Sequence, residues 1–380
     1  MAALPAMSID IYLPAMPRIT EYFHTLYAHT QLTISLFLLA YGLFQLVWGP
    51  LSDRFGRKPI LIAGLTLYIL AALVCVFAPT LSILILARFC QGIGASAISI
   101  SSFAIVRDIF EGKQAVKVMS YLTTAMGCSP ILAPIIGAYL QHELGWRSNF
   151  TFLVIVSVVL LLAIVFKFAE TSQTHQTLAK STASVLQTYF AILSNRLYKK
   201  YAVCSILAFV ILIAFATNAP YYMMTLGKVS AQYFAVLFAI NALGLVLGSL
   251  ITSRLIIHFK SENIILFGAS LILLGGIFMT GVIALFSVSA VLFIIAMLFC
   301  TFGIALIFPP AMAGALAPFR EKAGSASALT GCLRFVISGI AAAVIGYLQI
   351  VHVLSLPLLI LLCGILIVLM AINLKYRELS

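Results

Sequence analysis

The sequence predicts an all-α protein that crosses a membrane many times and is arranged as two six-helix bundles. Three observations predict it. Of 380 residues, 63% are hydrophobic and 8% charged, and the mean hydropathy is +1.17, far outside the range of soluble globular domains. Apolar runs of about 20 residues, the length a helix needs to cross about 30 Å of hydrocarbon, recur from one end of the chain to the other. One long polar interval, from Glu170 to Lys200, divides those runs into two sets.

The elements follow in order. Residues 1–16 are apolar but hold Pro5 and Pro14 and are too short to span, so they read as the second half of a first helix. A signal peptide is the competing reading, but the segment lacks a basic flank and carries Asp10 where an uninterrupted apolar stretch is required. Full spans are predicted at residues 31–48, 59–78, 81–104, 118–140, 149–168, 201–223, 232–253, 263–286, 289–311, 324–348 and 354–374. Counting the incomplete first helix, residues 1–168 form a bundle of helices 1–6, residues 169–200 a cytoplasmic linker, and residues 201–380 a bundle of helices 7–12.

Basic residues fix the expected orientation, because Lys and Arg concentrate in cytoplasmic loops. Alternate loops hold Arg54, Arg57 and Lys58; Arg107, Lys113 and Lys117; Lys167, Lys180, Arg196, Lys199 and Lys200; Arg254 and Lys260; Arg320 and Lys322; and Lys375 and Arg377. The opposite loops hold only Arg18, Arg147 and Lys228. Both termini of a full-length protein are then expected in the cytoplasm. The formal charge of +12 is accounted for by this asymmetry and calls for no nucleic acid. The seven cysteines read as small apolar packers. No nucleotide loop, zinc-ligand spacing or nucleophile elbow occurs, so neither an enzyme nor a cofactor or metal site is expected.

Three charges, Asp10, Arg88 and Arg334, fall within apolar runs. An ionisable group at membrane depth costs roughly 2.5–3.5 kcal/mol on insertion scales, so such residues are expected to face a partner, a cavity or a transported species. Asp10 is the one acidic residue the reading puts inside a span, which makes it the candidate proton carrier. Its proton occupancy would follow hydration and distance from Arg88. The alternative is a hydrated carboxylate near an open helix end.

Five segments carry a resemblance. Gly49-Pro-Leu-Ser-Asp-Arg-Phe-Gly-Arg-Lys-Pro59 resembles the signature loop of the major facilitator superfamily. Its Gly49 and Gly56 allow a tight turn, and Asp53, Arg54 and Arg57 supply charge at the cytoplasmic face. A solvated basic loop is the plainer reading. Arg88-Phe-Cys-Gln-Gly-Ile-Gly94 is similar to the superfamily's second motif, in which a membrane Arg is implied in proton coupling. Here the alternative is an Arg that satisfies backbone carbonyls in a kinked helix. Gly127-Cys-Ser-Pro-Ile-Leu-Ala-Pro-Ile-Ile-Gly137 resembles the antiporter motif, with Gly127, Pro130, Pro134 and Gly137 as a hinge or tight seal, although Ala133 and Ala138 stand where Gly is usual. Leu4-Pro-Ala-Met-Ser-Ile-Asp-Ile-Tyr-Leu-Pro-Ala-Met-Pro17 and Ala323-Gly-Ser-Ala-Ser-Ala-Leu329 resemble the bicyclomycin resistance and chloramphenicol efflux group of drug:proton antiporters.

The resemblance implies the major facilitator fold in a bacterial cytoplasmic membrane, with export of small amphipathic drugs or metabolites against protons; the alternatives are a facilitator-fold importer or symporter of a small metabolite, or a non-transporting truncated remnant. The expected partners are a small molecule, protons and lipid, and the expected state is a monomer. Members of the group carry a cytoplasmic tail and a complete first helix, so the chain is expected to start within that helix. Substrate contacts are expected near the midplane from Tyr12, Tyr41, Gln45, Gln91, Tyr121, Asn218, Tyr221, Asn241 and Arg334, because amides and charges facing lipid are costly. A cytoplasmic latch is expected in which Asp108 or Glu111, beside Arg107, pairs with Arg54 or Arg57.

Overall fold

A backbone in hydrocarbon finds no water for its N–H and C=O groups, so each apolar run closes into a helix. In the computed structural model, residues 1–171, 182–285 and 289–375 are described, the side chains at 113, 116, 182–186, 320, 321 and 323 excepted. The chain divides into two compact units, Met1–Lys180 and Ser181–Ser380. Among the described residues, eleven helices are long and apolar enough to cross a membrane.

In the first unit, α1 (Leu4–Asp10), a 3-10 turn (Leu13–Ala15) and α2 (Met16–Tyr22) are followed by α3 (Tyr27–Phe55), α4 (Arg57–Phe77), α5 (Leu81–Ile109), α6 (Gly112–Leu144) and α7 (Arg147–Lys167). Most of these overrun the apolar runs into polar flanks, because a helix propagates until something stops it. For α3 the stop is Gly56, at φ +95°, a conformation that side chains with a Cβ rarely adopt. Helix α5 packs on α3 and α4, α4 on α7, and α6 on α1 and the turn after it. At the crossing of α4 and α5, a Cβ built on Gly94 would lie 2.6 Å from the Gly64 carbonyl oxygen. Only glycine permits that approach.

The second unit contains α8 (Thr182–Ser194), α9 (Arg196–Pro220) running into a π turn (Tyr221–Leu226), α10 (Ala231–His258), α11 (Ser261–Leu285), α12 (Ala290–Leu316), a 3-10 turn (Ala317–Lys322), α13 (Ala323–Val351) and α14 (Ser355–Lys375). Helix α8 lies in the segment read as a polar linker. Its apolar residues recur at helical spacing through Val185, Tyr189 and Ile192, and the helix packs on α9 and α13 with Ile192 fully buried. Helix α11 packs on α12 and α14, and α9 on α12, α13 and α14. The α11–α12 crossing repeats the glycine solution of the first unit, since a Cβ on Gly303 would lie 2.3 Å from the Gly268 oxygen. A stack of rings, Phe238 on Phe215 (5.7 Å), Phe215 on Phe293 (5.9 Å) and Phe293 on Tyr222 (5.1 Å), ties α10, α9, α12 and the π turn together.

Candidate functional site: a broken helix around Asp10

The first unit's two buried charges, Asp10 and Arg88, stand near the break in helix α1. Pro14 has no N–H to offer the Asp10 carbonyl, so the α pattern cannot continue past Asp10. The chain tightens instead, with Tyr12 N bonding Ile9 O (3.3 Å) and Ala15 N bonding Tyr12 O (3.0 Å). The carbonyls of Ser8 and Ile11 are thereby released from the helix. Side chains take them up: Arg88 Nη2 donates to Ser8 O at 3.1 Å, and Asn149 Nδ2 donates to Ile11 O at 3.1 Å. Each would otherwise be an unsatisfied acceptor at membrane depth.

Arg88 is fully buried. Its Nη1 donates to Gln91 Oε1 at 2.6 Å, and its guanidinium lies over the rings of Phe37 (4.4 Å), Tyr12 (5.2 Å) and Phe150 (5.8 Å). Carbonyl, amide and three aromatic faces together replace the hydration that a buried cation loses. Asp10, also buried, accepts a hydrogen bond from Ser129 Oγ on α6 at 2.8 Å. Among the described residues no ion pair joins Asp10 to Arg88. Arg88 grips the backbone two residues before Asp10, as in the plainer reading weighed for it, so any action of its charge on Asp10 would run through space and not through an ion pair.

Helix α6 reaches α1 through Gly137, where a Cβ would lie 2.0 Å from Ile11 O. Gly127, ten residues earlier, has nothing within 4 Å of such an atom. The two glycines of one motif thus have different surroundings. Ala133 and Ala138, which replace glycines of the resemblance, are buried.

The remaining candidates fall into three groups. Tyr12 is fully buried, its hydroxyl bonded to Thr33 Oγ1 at 3.0 Å and its ring against Phe150. Gln91 is buried on Arg88, and Tyr41 and Gln45 are buried on α3, with Tyr41 stacked on Phe37. Tyr121, on α6, is 62% exposed. In the second unit Asn218 donates to Ala214 O (2.7 Å), Asn241 Oδ1 accepts from Thr301 (2.9 Å), Tyr221 opens the π turn, and Arg334 is half-buried beside Phe209 and Phe308.

The signature loop makes a charge cluster. Arg57 Nε donates to Asp108 Oδ2 (2.7 Å), and its Nη1 to Asp53 Oδ1 (2.5 Å) and Ser52 Oγ (3.1 Å). Arg57 rather than Arg54 carries the pairing; Arg54 lies over Phe55 (5.2 Å), and Arg107 and Glu111 are exposed. Gly49 has open space around it.

Sequence reasoning missed several of these residues. Ser129 stood inside a quoted motif without a role. Asn149 meets the cost argument applied to Gln45 and Asn241, an amide at the edge of an apolar run, and that signal was available. Glu262, just outside the span predicted at 263–286, stands in the first turn of α11, yet it is buried and accepts a hydrogen bond from the Tyr201 hydroxyl.

A multi-pass helical membrane protein with a buried acid on a broken first helix is the class these features define. The chain belongs to the Major Facilitator Superfamily, whose family model matches residues 1–343. Among its relatives are an uncharacterized MFS-type transporter, YdgK, of Bacillus subtilis (30% identity, covering 91% of this chain and 86% of the relative) and multidrug resistance protein D of Escherichia coli (30%, 99% and 94%). A chloramphenicol resistance protein of Pseudomonas aeruginosa is 29% identical over 88% of this chain and 79% of its own length. A solved structure of a bacterial homolog of the human lysosomal transporter Spinster has the same fold, with a TM-score of 0.76 at 13% identity over 97% of this chain and 93% of that one. The protein is a transporter of this superfamily, with relatives named for multidrug and chloramphenicol resistance.

Proposed function

We propose that the protein exports small amphipathic drugs or metabolites in exchange for protons by alternating access. The observation that carries this reading is Asp10: a buried carboxylate at a helix break, bonded to the Ser129 hydroxyl and not neutralised by the buried arginine nearby. Such a group can hold a proton in one state and release it in another as its hydration changes. If a cationic substrate competes for the same carboxylate, one site serves two ligands and exchange becomes obligatory. The names of the multidrug and chloramphenicol resistance relatives support export rather than uptake.

On this reading the protein works as a monomer in a bacterial cytoplasmic membrane, with the basic loops and both termini of the full-length chain in the cytoplasm. Tyr41, Gln45, Tyr121, Asn218, Tyr221, Asn241 and Arg334 remain the proposed substrate contacts. Arg57 with Asp53 and Asp108 is the cytoplasmic latch.

The test uses inverted membrane vesicles, a panel of fluorescent cations together with radiolabelled chloramphenicol, and an imposed proton gradient. Wild type is expected to accumulate one or more compounds when the lumen is acid. Asp10→Asn is expected to insert normally and lose that uptake. Undiminished proton-driven uptake by the variant would sink the proposal, and accumulation only under the opposite gradient would make the protein a symporter.

A further inference from the structure

Helix α7 ends at Lys167 with its last carbonyls pointing out of the helix, and α4 begins at Arg57 with its first N–H groups pointing out. The two ends exchange charges. Lys58 Nζ donates to Val165 O in the last turn of α7 at 3.2 Å. Three residues past the end of α7, Glu170 returns a carboxylate to the start of α4, where Oε1 accepts from Arg57 N (2.9 Å) and Oε2 from Lys58 N (3.0 Å). Each helix end receives the sign its dipole favours.

The site is shaped for this contact. Gly56, at φ +95°, supplies the turn, and a Cβ there would lie 2.6 Å from Glu170 Oε2. Neighbouring backbone ties the cap to the latch, because the residue whose N–H is bound by Glu170 is Arg57, whose side chain bridges Asp53 and Asp108. The sequence separation is 113 residues. Glu170 is also where the first unit passes into the polar segment that leads to the second.

We propose that Glu170 is a positioning residue for the cytoplasmic latch: by capping α4 it holds Arg57 in register with Asp108. The side chain acts through Arg57 and touches no substrate. A latch set this way has two inputs, the Asp108 pair from α5 and the Glu170 cap from the end of α7. Either can release the arginine.

Two measurements on the full chain in proteoliposomes test this. Hydrogen–deuterium exchange reads the junction without any substrate, so it stands even if the export reading of the transport site fails. Glu170→Gln is expected to speed exchange in peptides covering residues 52–60 by about twofold to fivefold, the factor set by a helix-terminal charge contact near the surface. Peptides covering residues 103–111, around Asp108, are expected to loosen with it.

The second measurement is a transport double-mutant cycle. Glu170→Gln and Asp108→Asn are each expected to lower turnover more than they change the substrate concentration at half-maximal rate, and the double variant to be no slower than the worse single one. Effects that multiply, or unchanged exchange at residues 52–60, would overturn the proposal. If Glu170→Gln fails to insert, Lys58→Met probes the same junction from the α4 side. It is expected to loosen the same two sets of peptides, and no change there would equally overturn the proposal.

Discussion

Substituting alanine at Gly137 and at Gly127 should have opposite effects, although both glycines belong to one motif on one helix. At Gly137 the added methyl would sit 2.0 Å from the Ile11 carbonyl oxygen and 2.9 Å from its carbon. Ordinary contacts begin near 3.4 Å, so α6 must withdraw from α1 by about 1 Å or more. Overpacking of this kind costs about 1–3 kcal/mol. The same carbonyl accepts from Asn149 at 3.1 Å, and weakening that bond adds about 0.5–1.5 kcal/mol. The total is about 1.5–4.5 kcal/mol, reduced by whatever relaxation the helices allow. At Gly127 nothing lies within 4 Å, and alanine is the better helix former by up to about 1 kcal/mol. Thermal unfolding in detergent, followed by tryptophan fluorescence, should place Gly137→Ala below wild type by several degrees and Gly127→Ala at or above it. Equal shifts for both, or a neutral Gly137→Ala, would refute the account of α6 seated on the break in α1.

Arg88→Lys retains the charge but not the fork that reaches both Ser8 O and Gln91; it should lower transport at least about tenfold, since a charge-assisted bond contributes about 1.5–3 kcal/mol, and wild-type rates in vesicles would contradict the geometry. Asn149→Ala leaves the Ile11 carbonyl without its side-chain donor and should destabilise the protein by about 1–3 kcal/mol, read as a lower melting temperature than that of Asn149→Gln.

The sequence made the membrane class, the eleven spans and the family legible because each depends on composition or on contiguous residues. Asp10 and Arg88 stood out for the same reason: charges in apolar runs are rare and visible locally. Their relation was not legible. Spacing within a segment cannot tell whether Arg88 meets the Asp10 carboxylate or the Ser8 carbonyl two residues before it, and the answer depends on which acceptors Pro14 releases. Asn149 and Glu170 are separated from their partners by 138 and 113 residues, so only the packing of α7 against the start of the chain and against α4 brings them to their work. Helix α8 was missed for a different reason, since the polar residues around it in the 170–200 interval hid its apolar stripe. Gly127 and Gly137 look alike in sequence because a glycine's use is decided by what faces it.

The break in α1 has a consequence for movement. A backbone that depends on Arg88 and Asn149 for its acceptors cannot slide or rotate against α5 and α7 without stranding polar atoms in a medium that offers no substitute. The discontinuity is therefore a weld and not a hinge: on the proposed export reading, Asp10 moves only with the helices that hold its backbone, and the access of water and substrate changes around it while its own footing does not.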